Sequence, residues 1–290
     1  MLKLFNLNKV LKFSTMLLCS AVIPLSASAA DQKELKIGTN SWPENIAASH
    51  MWKILLEEKG YDIKLVEMSL EMVYSGVAND ALDIALEMWL PTTGKPYYDR
   101  YKDDFVLQGA WYHNTNIGLV VPEYMDIDSI TELPDYKESL EYRGQPTIFG
   151  IETGAAIMGV TDQVIEDYDL GMRLLDSSDA AMMAALDDAY HKEEPIVVTL
   201  WSPHWAFSRY DLKYLKDPKK IYGETEEIFW LSTQSLPDTD PELVQWMNNW
   251  DMDDEQLGSL IGAVNDADNP TQGAQQWIDD NKALVDSWFN

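Results

Sequence analysis

Residues 34–91 read ELKIGTNSWPENIAASHMWKILLEEKGYDIKLVEMSLEMVYSGVANDALDIALEMWLP. Glu34 to Gly38 alternates as a short strand. Glu44 to Lys59 follows with apolar residues at Ile46, Ala47, Met51, Ile54 and Leu55, a helical stripe closed by Gly60. Tyr61 to Met68 is expected as a second strand, Leu70 to Asn79 as a short helix, and Leu82 to Met88 as a buried third strand. That βαβαβ order implies a parallel sheet with helices on its faces.

A second unit of similar grammar follows. Pro146 to Gly150 reads as a strand, Ala156 to Tyr168 and Asp179 to His191 as helices, and Pro195 to Leu200 as a buried strand running into Trp201. Ile117 to Val121 is a strand placed to leave the first unit, and Glu227 to Ser232 one placed to return to it. The tail from Pro241 to Asn290 is expected to be helical. The expectation is therefore an α/β chain of two lobes joined by two crossings, with a cleft between them. Residues 31–121 plus 227–290 form the first lobe and 122–226 the second.

The first 30 residues read as a secretory signal: Lys3, Lys9 and Lys12, an apolar stretch from Met16 to Leu25, then SASAA before Asp31. That stretch is too short to span a bilayer, and cleavage is expected near Ala29 or Ala30. Cys19 opens a lipoprotein reading, but the residue before it is Leu18 and a small-residue cleavage site follows. A periplasmic, monomeric protein with no membrane segment in its mature chain is expected. Removing the signal removes the only cysteine, and with it any disulfide framework or thiol nucleophile. It also leaves 18 Lys+Arg against 49 Asp+Glu, a formal charge of −31. Such a surface repels nucleic acid and anionic lipid.

Three tryptophans share a local setting, each followed by proline within two residues: Trp42 in NSWPEN, Trp89 in ALEMWLP and Trp201 in VVTLWSPHW. A strand delivers its last residue to the carboxyl edge of the sheet, where open α/β sheets bind ligands, and proline turns the chain there. Three indoles at one crevice suit a quaternary ammonium, which has no N–H to donate and is attracted to ring faces. The other Trp residues, Trp52, Trp111, Trp246 and Trp277 among them, are expected in the core or half-buried.

The stretch Gly150-Ile-Glu-Thr-Gly-Ala-Ala-Ile-Met-Gly159 follows a strand and opens a helix. Unpaired amides at Ala156 and Ile157, next to Gly154 and Ala155, would there face an anion. The alternative is an ordinary strand-to-helix turn. Indoles for a methylated cation and amides for a carboxylate together describe a betaine. Catalysis finds no constellation: His50, His113, His191 and His204 lack metal-ligand spacing, and no metal, cofactor or catalytic residue is assigned. His204, beside Trp205, reads as a loop-orienting histidine. Glu44 either borders the cage or sits as a charge in the first turn of its helix.

On KIGTNSWPENIA, EMWLPTTGKPY, NIGLVVPEYM, GIETGAAIMGVTDQVIEDYDL and LWSPHWAFSRYDLKYLKDP, the chain resembles the glycine betaine/choline substrate-binding proteins of ABC importers. The resemblance implies a type II periplasmic-binding-protein fold that closes over ligand and docks on a membrane permease with its ATPase. It places the cage on Trp42, Trp89 and Trp201 and the carboxylate-binding amides on Ala156 and Ile157. Two departures stand out. Some betaine-binding relatives have a histidine where this chain has Gly94. Choline-binding relatives can add a tyrosine at the position of Ile117 and an acid at the position of Glu44. Glycine betaine or a similar compatible solute is the expected ligand. The alternatives are choline, carnitine, proline betaine or dimethylsulfoniopropionate on the same fold, a sensor reporting to a receptor, or an exported enzyme acting on a quaternary amine.

Overall fold

The computed structural model describes residues 33–290, so the expected signal segment lies outside the described residues. The chain opens with β1 (Lys33–Thr39), α1 (Pro43–Glu58), β2 (Tyr61–Glu67), α2 (Leu70–Ala78) and β3 (Ile84–Leu90). β1 runs between β2 and β3 and parallel to both, with Ile37 opposite Leu65 on one side and Ile84 on the other. The helical stripe is wider than expected: Ala48, Trp52 and Leu56 of α1 are buried as well. The reason lies in the tail, whose helices cover the outer face of α1.

After α3 (Lys95–Tyr101) comes β4 (Phe105–Pro122), an 18-residue strand where only Ile117 to Val121 was expected. Its first part carries Gln108, Gly109, His113, Asn114 and Thr115, and its pairing shifts register three times against β10 (Glu226–Thr233). Bulges of that kind break the period-two alternation by which a strand is read.

The second unit comprises a 3-10 turn over Ile130–Tyr136, β5 (Glu141–Tyr142), β6 (Gln145–Phe149), α4 (Ala156–Asp167), β7 (Arg173–Leu175), α5 (Asp179–His191), β8 (Val198–Ser202), α6 (Ala206–Arg209) and β9 (Leu212–Tyr214). β10 then returns, followed by α7 (Leu236–Thr239), α8 (Pro241–Asn248), α9 (Asp254–Asp266), α10 (Pro270–Asp280) and α11 (Lys282–Trp288). The sheet order is β2-β1-β3-β10-β4-β8-β6-β5, with β7 beside β6 and β9 beside β4.

β4 changes partners along its length. Phe105 to Thr115 pairs with β10, and Asn116 to Val120 pairs with β8, antiparallel in both cases. The change falls between Thr115 and Asn116. There the buried Thr115 hydroxyl donates to the Glu226 carbonyl at 2.9 Å and accepts from the Glu226 amide at 3.1 Å.

Beneath the first half of the sheet lies an aromatic core. Trp52 meets Trp250 edge-on at 5.5 Å and stacks on Trp288 at 6.1 Å, while Trp111 stacks on Trp250 at 4.0 Å and 9°. Most of the chain's tryptophan is thus structural, which separates the remaining indoles by location.

Candidate ligand site

Trp42, Trp89 and Trp201 reach the same place by three different routes. Trp42 caps the N-terminus of α1, its amide donating to Asn40 Oδ1 at 3.0 Å, while Pro43 occupies a first-turn position that needs no amide donor. Trp89 is the penultimate residue of β3, opposite Ile228, and Trp201 the penultimate residue of β8, opposite Ile117. These two indoles stand within their strands rather than just past them. Each strand ends at a cis bond, Leu90–Pro91 and Ser202–Pro203.

All three indoles line one cavity, together with Leu70, Tyr74, Ile117, Ile151, Ala155, Ala156 and Ile157. The three rings are nearly buried, at 8%, 6% and 4% exposure, and the Trp42 and Trp201 centroids lie 6.3 Å apart with planes at 59°. The lining is apolar and aromatic, the setting in which a cation gains most from ring faces because little water competes.

At the other wall α4 begins. Its N-cap Ala155 has no side chain that can cap, and the Ala156 and Ile157 amides donate to no acceptor among the described residues. Both residues line the cavity. A twelve-residue helix therefore presents two open N–H groups and the positive end of its dipole there. Gly154 adopts φ +104°, a left-handed conformation that glycine takes without strain, and its carbonyl accepts from the Tyr97 hydroxyl at 3.0 Å. Gly154 itself is not in the cavity wall.

Two acids hold indole N–H groups: Glu44 in the first turn of α1, which its sequence position allowed as a border of the cage, and Glu152 in the loop before α4, which sequence reading did not connect to the indoles. The Trp42 indole N–H donates to Glu152 at 2.5 Å, and the Trp201 indole N–H donates to Glu44 at 3.0 Å. Glu44 is 1% exposed and lines the cavity; Glu87, 2% exposed, lies beside it and accepts from Asn40 Nδ2 at 3.1 Å. Burial pushes the Glu44 carboxyl well above its ordinary value, and its proximity to Glu87 adds to the effect. Burial likewise pushes Glu87 up to about 7, against the hydrogen bond from Asn40 that favours its charge. The signal for Glu87 was present in its position two residues before Trp89. Alternation within a fully buried strand gives no hint of a neighbour contributed by α1.

Glu226 holds the loop after β3. Its carboxyl accepts from the Thr92 and Thr93 amides at 2.6 and 2.8 Å and from the Thr93 hydroxyl. Thr93 and Gly94 thereby enter the cavity wall. The Gly94 amide donates to the Trp89 carbonyl at 2.6 Å, and a Cβ at Gly94 would stand 2.6 Å from that oxygen. The turn as folded has no room for the histidine that some relatives carry.

His204 and Trp205 lie outside the cavity lining. The buried His204 ring faces Asp179 through Nε2 at 3.2 Å, and its Nδ1 accepts from the Ala206 amide at 3.1 Å. That amide fixes Nδ1 as the acceptor and Nε2 as the protonated nitrogen. The ring packs edge-on against Trp201 at 4.9 Å, behind that indole. Trp205 faces a separate groove with Asp187, Arg209 and Ile261. Among the described residues no cluster of three or more His, Cys, Asp or Glu is arranged to hold a metal ion, and no helix is long and apolar enough to cross a membrane.

Residues 33–280 match the family described as the substrate-binding domain of the ABC-type glycine betaine transport system. Among curated proteins, the glycine betaine/carnitine transport binding protein GbuC of Listeria monocytogenes is 38% identical over 157 residues, 53% of this chain and 52% of its own length. The chain thus spans about half the length of that relative. Among solved structures, lactococcal OpuAC in its closed-liganded conformation with glycine betaine is 30% identical, with a TM-score of 0.83 over 89% of this chain and all of the other. The glycine/betaine/L-proline-binding protein ProX of Borrelia burgdorferi is 32% identical, with a TM-score of 0.81 over 88% of this chain and 96% of the other.

Proposed function

The chain belongs to the substrate-binding family of ABC-type glycine betaine transport systems and has its type II periplasmic-binding fold, and from that premise we propose that it captures a betaine-type compatible solute such as glycine betaine. In this reading the onium group sits among Trp42, Trp89 and Trp201, and the carboxylate takes the Ala156 and Ile157 amides. The observation that carries it is the meeting, in one apolar cavity, of three nearly buried indoles and two helix-terminal amides without acceptors. An onium has no N–H to donate, so ring faces serve it best; a carboxylate needs donors, and these two have nothing else to bond.

The same reading assigns 31–121 plus 227–290 to one lobe and 122–226 to the other. Two lobes are supported by the change of partners along β4 and by the return of β10 to the first half of the sheet; the change falls between Thr115 and Asn116, so residues 116–121 pair with the second half. Ligand bridging the lobes stabilises their closed arrangement by contacts available only there. Closed protein would then dock on the permease of an ABC importer, outside the cytoplasm, after removal of residues 1–30. Members of this family are substrate-binding domains, and the chain is read as a binding protein on that ground.

A second ligand class has an observation of its own. The Glu44 carboxyl in the cavity wall favours an onium carrying a hydroxyl, such as choline, over one carrying a carboxylate. Calorimetric titration of protein stripped by unfolding and refolding, with glycine betaine and choline side by side, decides between them. Tight glycine betaine with weak choline is the expected result. A preference for choline would leave the indoles in place and overturn the assignment of the amides. Silence from both would turn the search to sulfonium compounds and longer betaines.

A further inference from the structure

The indole N–H groups of Trp42 and Trp201 are gripped across the midline of the molecule in a reciprocal arrangement. Trp42 and Glu44 are two residues apart at the start of α1, beside the first half of the sheet. Trp201 on β8 and Glu152 between β6 and α4 belong to the second half. Trp42 donates to Glu152, and Trp201 donates to Glu44. Each half thus contributes one ring and the carboxyl group that fixes the other half's ring. Trp89, whose buried Nε1 has no partner among the described residues, is held only by its place in the strand.

We propose that Glu44 and Glu152 are positioning residues that act through these two indoles, so that bringing the halves together and setting the ring planes of the cage are one event. Two physical effects follow from an acceptor at the indole N–H. The ring can no longer rotate about its Cβ–Cγ bond without losing a hydrogen bond in a water-poor site, where such a loss is costly. An accepting carboxyl oxygen at the ring's positive edge also reinforces the negative face that a cation meets. The acceptor comes from the opposite half, so an open molecule has loose rings and a closed one has set rings. The part concerning ligand rests on the function proposed above; the part concerning closure does not.

The test uses Glu44→Ala, Glu152→Ala and the conservative Glu44→Gln and Glu152→Gln, whose amide oxygens still accept from an indole N–H. Small-angle scattering of the refolded, ligand-free protein is expected to give a larger radius of gyration for both alanine variants, with the glutamine variants close to the parent. Binding of glycine betaine is expected to weaken about tenfold in each alanine variant, the size of one buried hydrogen bond. Trp42→Phe removes the N–H and keeps an aromatic face. On that background Glu152→Ala is expected to cost nothing further. Full additivity of Glu152→Ala and Trp42→Phe would overturn the proposal, because the carboxyl group would then act by some route other than the indole. An unchanged radius of gyration in all variants would overturn it as well. A parent protein that expands on substitution but binds no quaternary ammonium would uphold the closure and refute the ligand reading alone.

Discussion

At the scale of single residues, the cavity joins three indole faces to the Glu44 carboxyl, with Glu87 buried beside it. Trp89→Ala and Trp201→Ala each remove one face, and each is expected to lower affinity for glycine betaine roughly ten- to thirtyfold by titration, the value of a desolvated cation–π contact. Glu87 gives a prediction on stability. Its folded value of about 7 lies above the ordinary 4.5, so the folded chain holds a proton that the unfolded chain has released between those values. Stability from this group is fully present below about 4.5 and is lost as pH rises through about 7. Denaturant titrations across that window should show falling stability in the parent and a flatter profile in Glu87→Gln. The three indoles and the two amides were legible in the sequence because strand, proline and helix start are local signals. Glu152 and Glu87 were not, since their partners are 110 and 47 residues away and depend on how the halves meet.

At the scale of elements, the opening βαβαβ unit, α4 and α5 were read close to their observed bounds, because hydrophobic period and turn residues agreed in each. β4 was read as a five-residue strand because its bulged first part hides the alternation. The close approach of α9 and α10 left no trace at all. Gly273 makes it possible: a Cβ there would lie 2.3 Å from the Ala263 carbonyl oxygen and 2.6 Å from Val264 Cα. Both are backbone atoms of α9 and cannot yield as a flexible side chain would. Gly273→Ala is therefore expected to destabilise the protein by about 1–3 kcal/mol despite alanine's better helix propensity. Chemical denaturation measures this directly. Ligand affinity should be preserved in the folded fraction, because α10 contributes nothing to the cavity lining.

At the scale of the whole molecule, Glu226 links two regions that must move together if the lobes close. Its backbone is bonded to Thr115 where β4 changes partners, and its side chain holds the Thr92–Thr93 amides beside the cavity. Glu226→Gln keeps the volume but puts an NH2 group against donors. It is expected to reduce affinity about tenfold by faster ligand release. Stopped-flow dissociation would show this as a raised off-rate with a nearly unchanged on-rate; an effect confined to the on-rate would count against the link.

The continuity of β4 has a mechanical consequence. Past the bulges opposite β10, its pairing passes directly from β10 to β8, and the neighbouring residues Thr115 and Asn116 belong to different ladders. A rotation of one half against the other cannot be absorbed by a slack linker at this crossing. It has to be taken up as added twist in a ribbon clamped at both ends, which makes the crossing a torsion spring whose stiffness depends on how many residues share the strain.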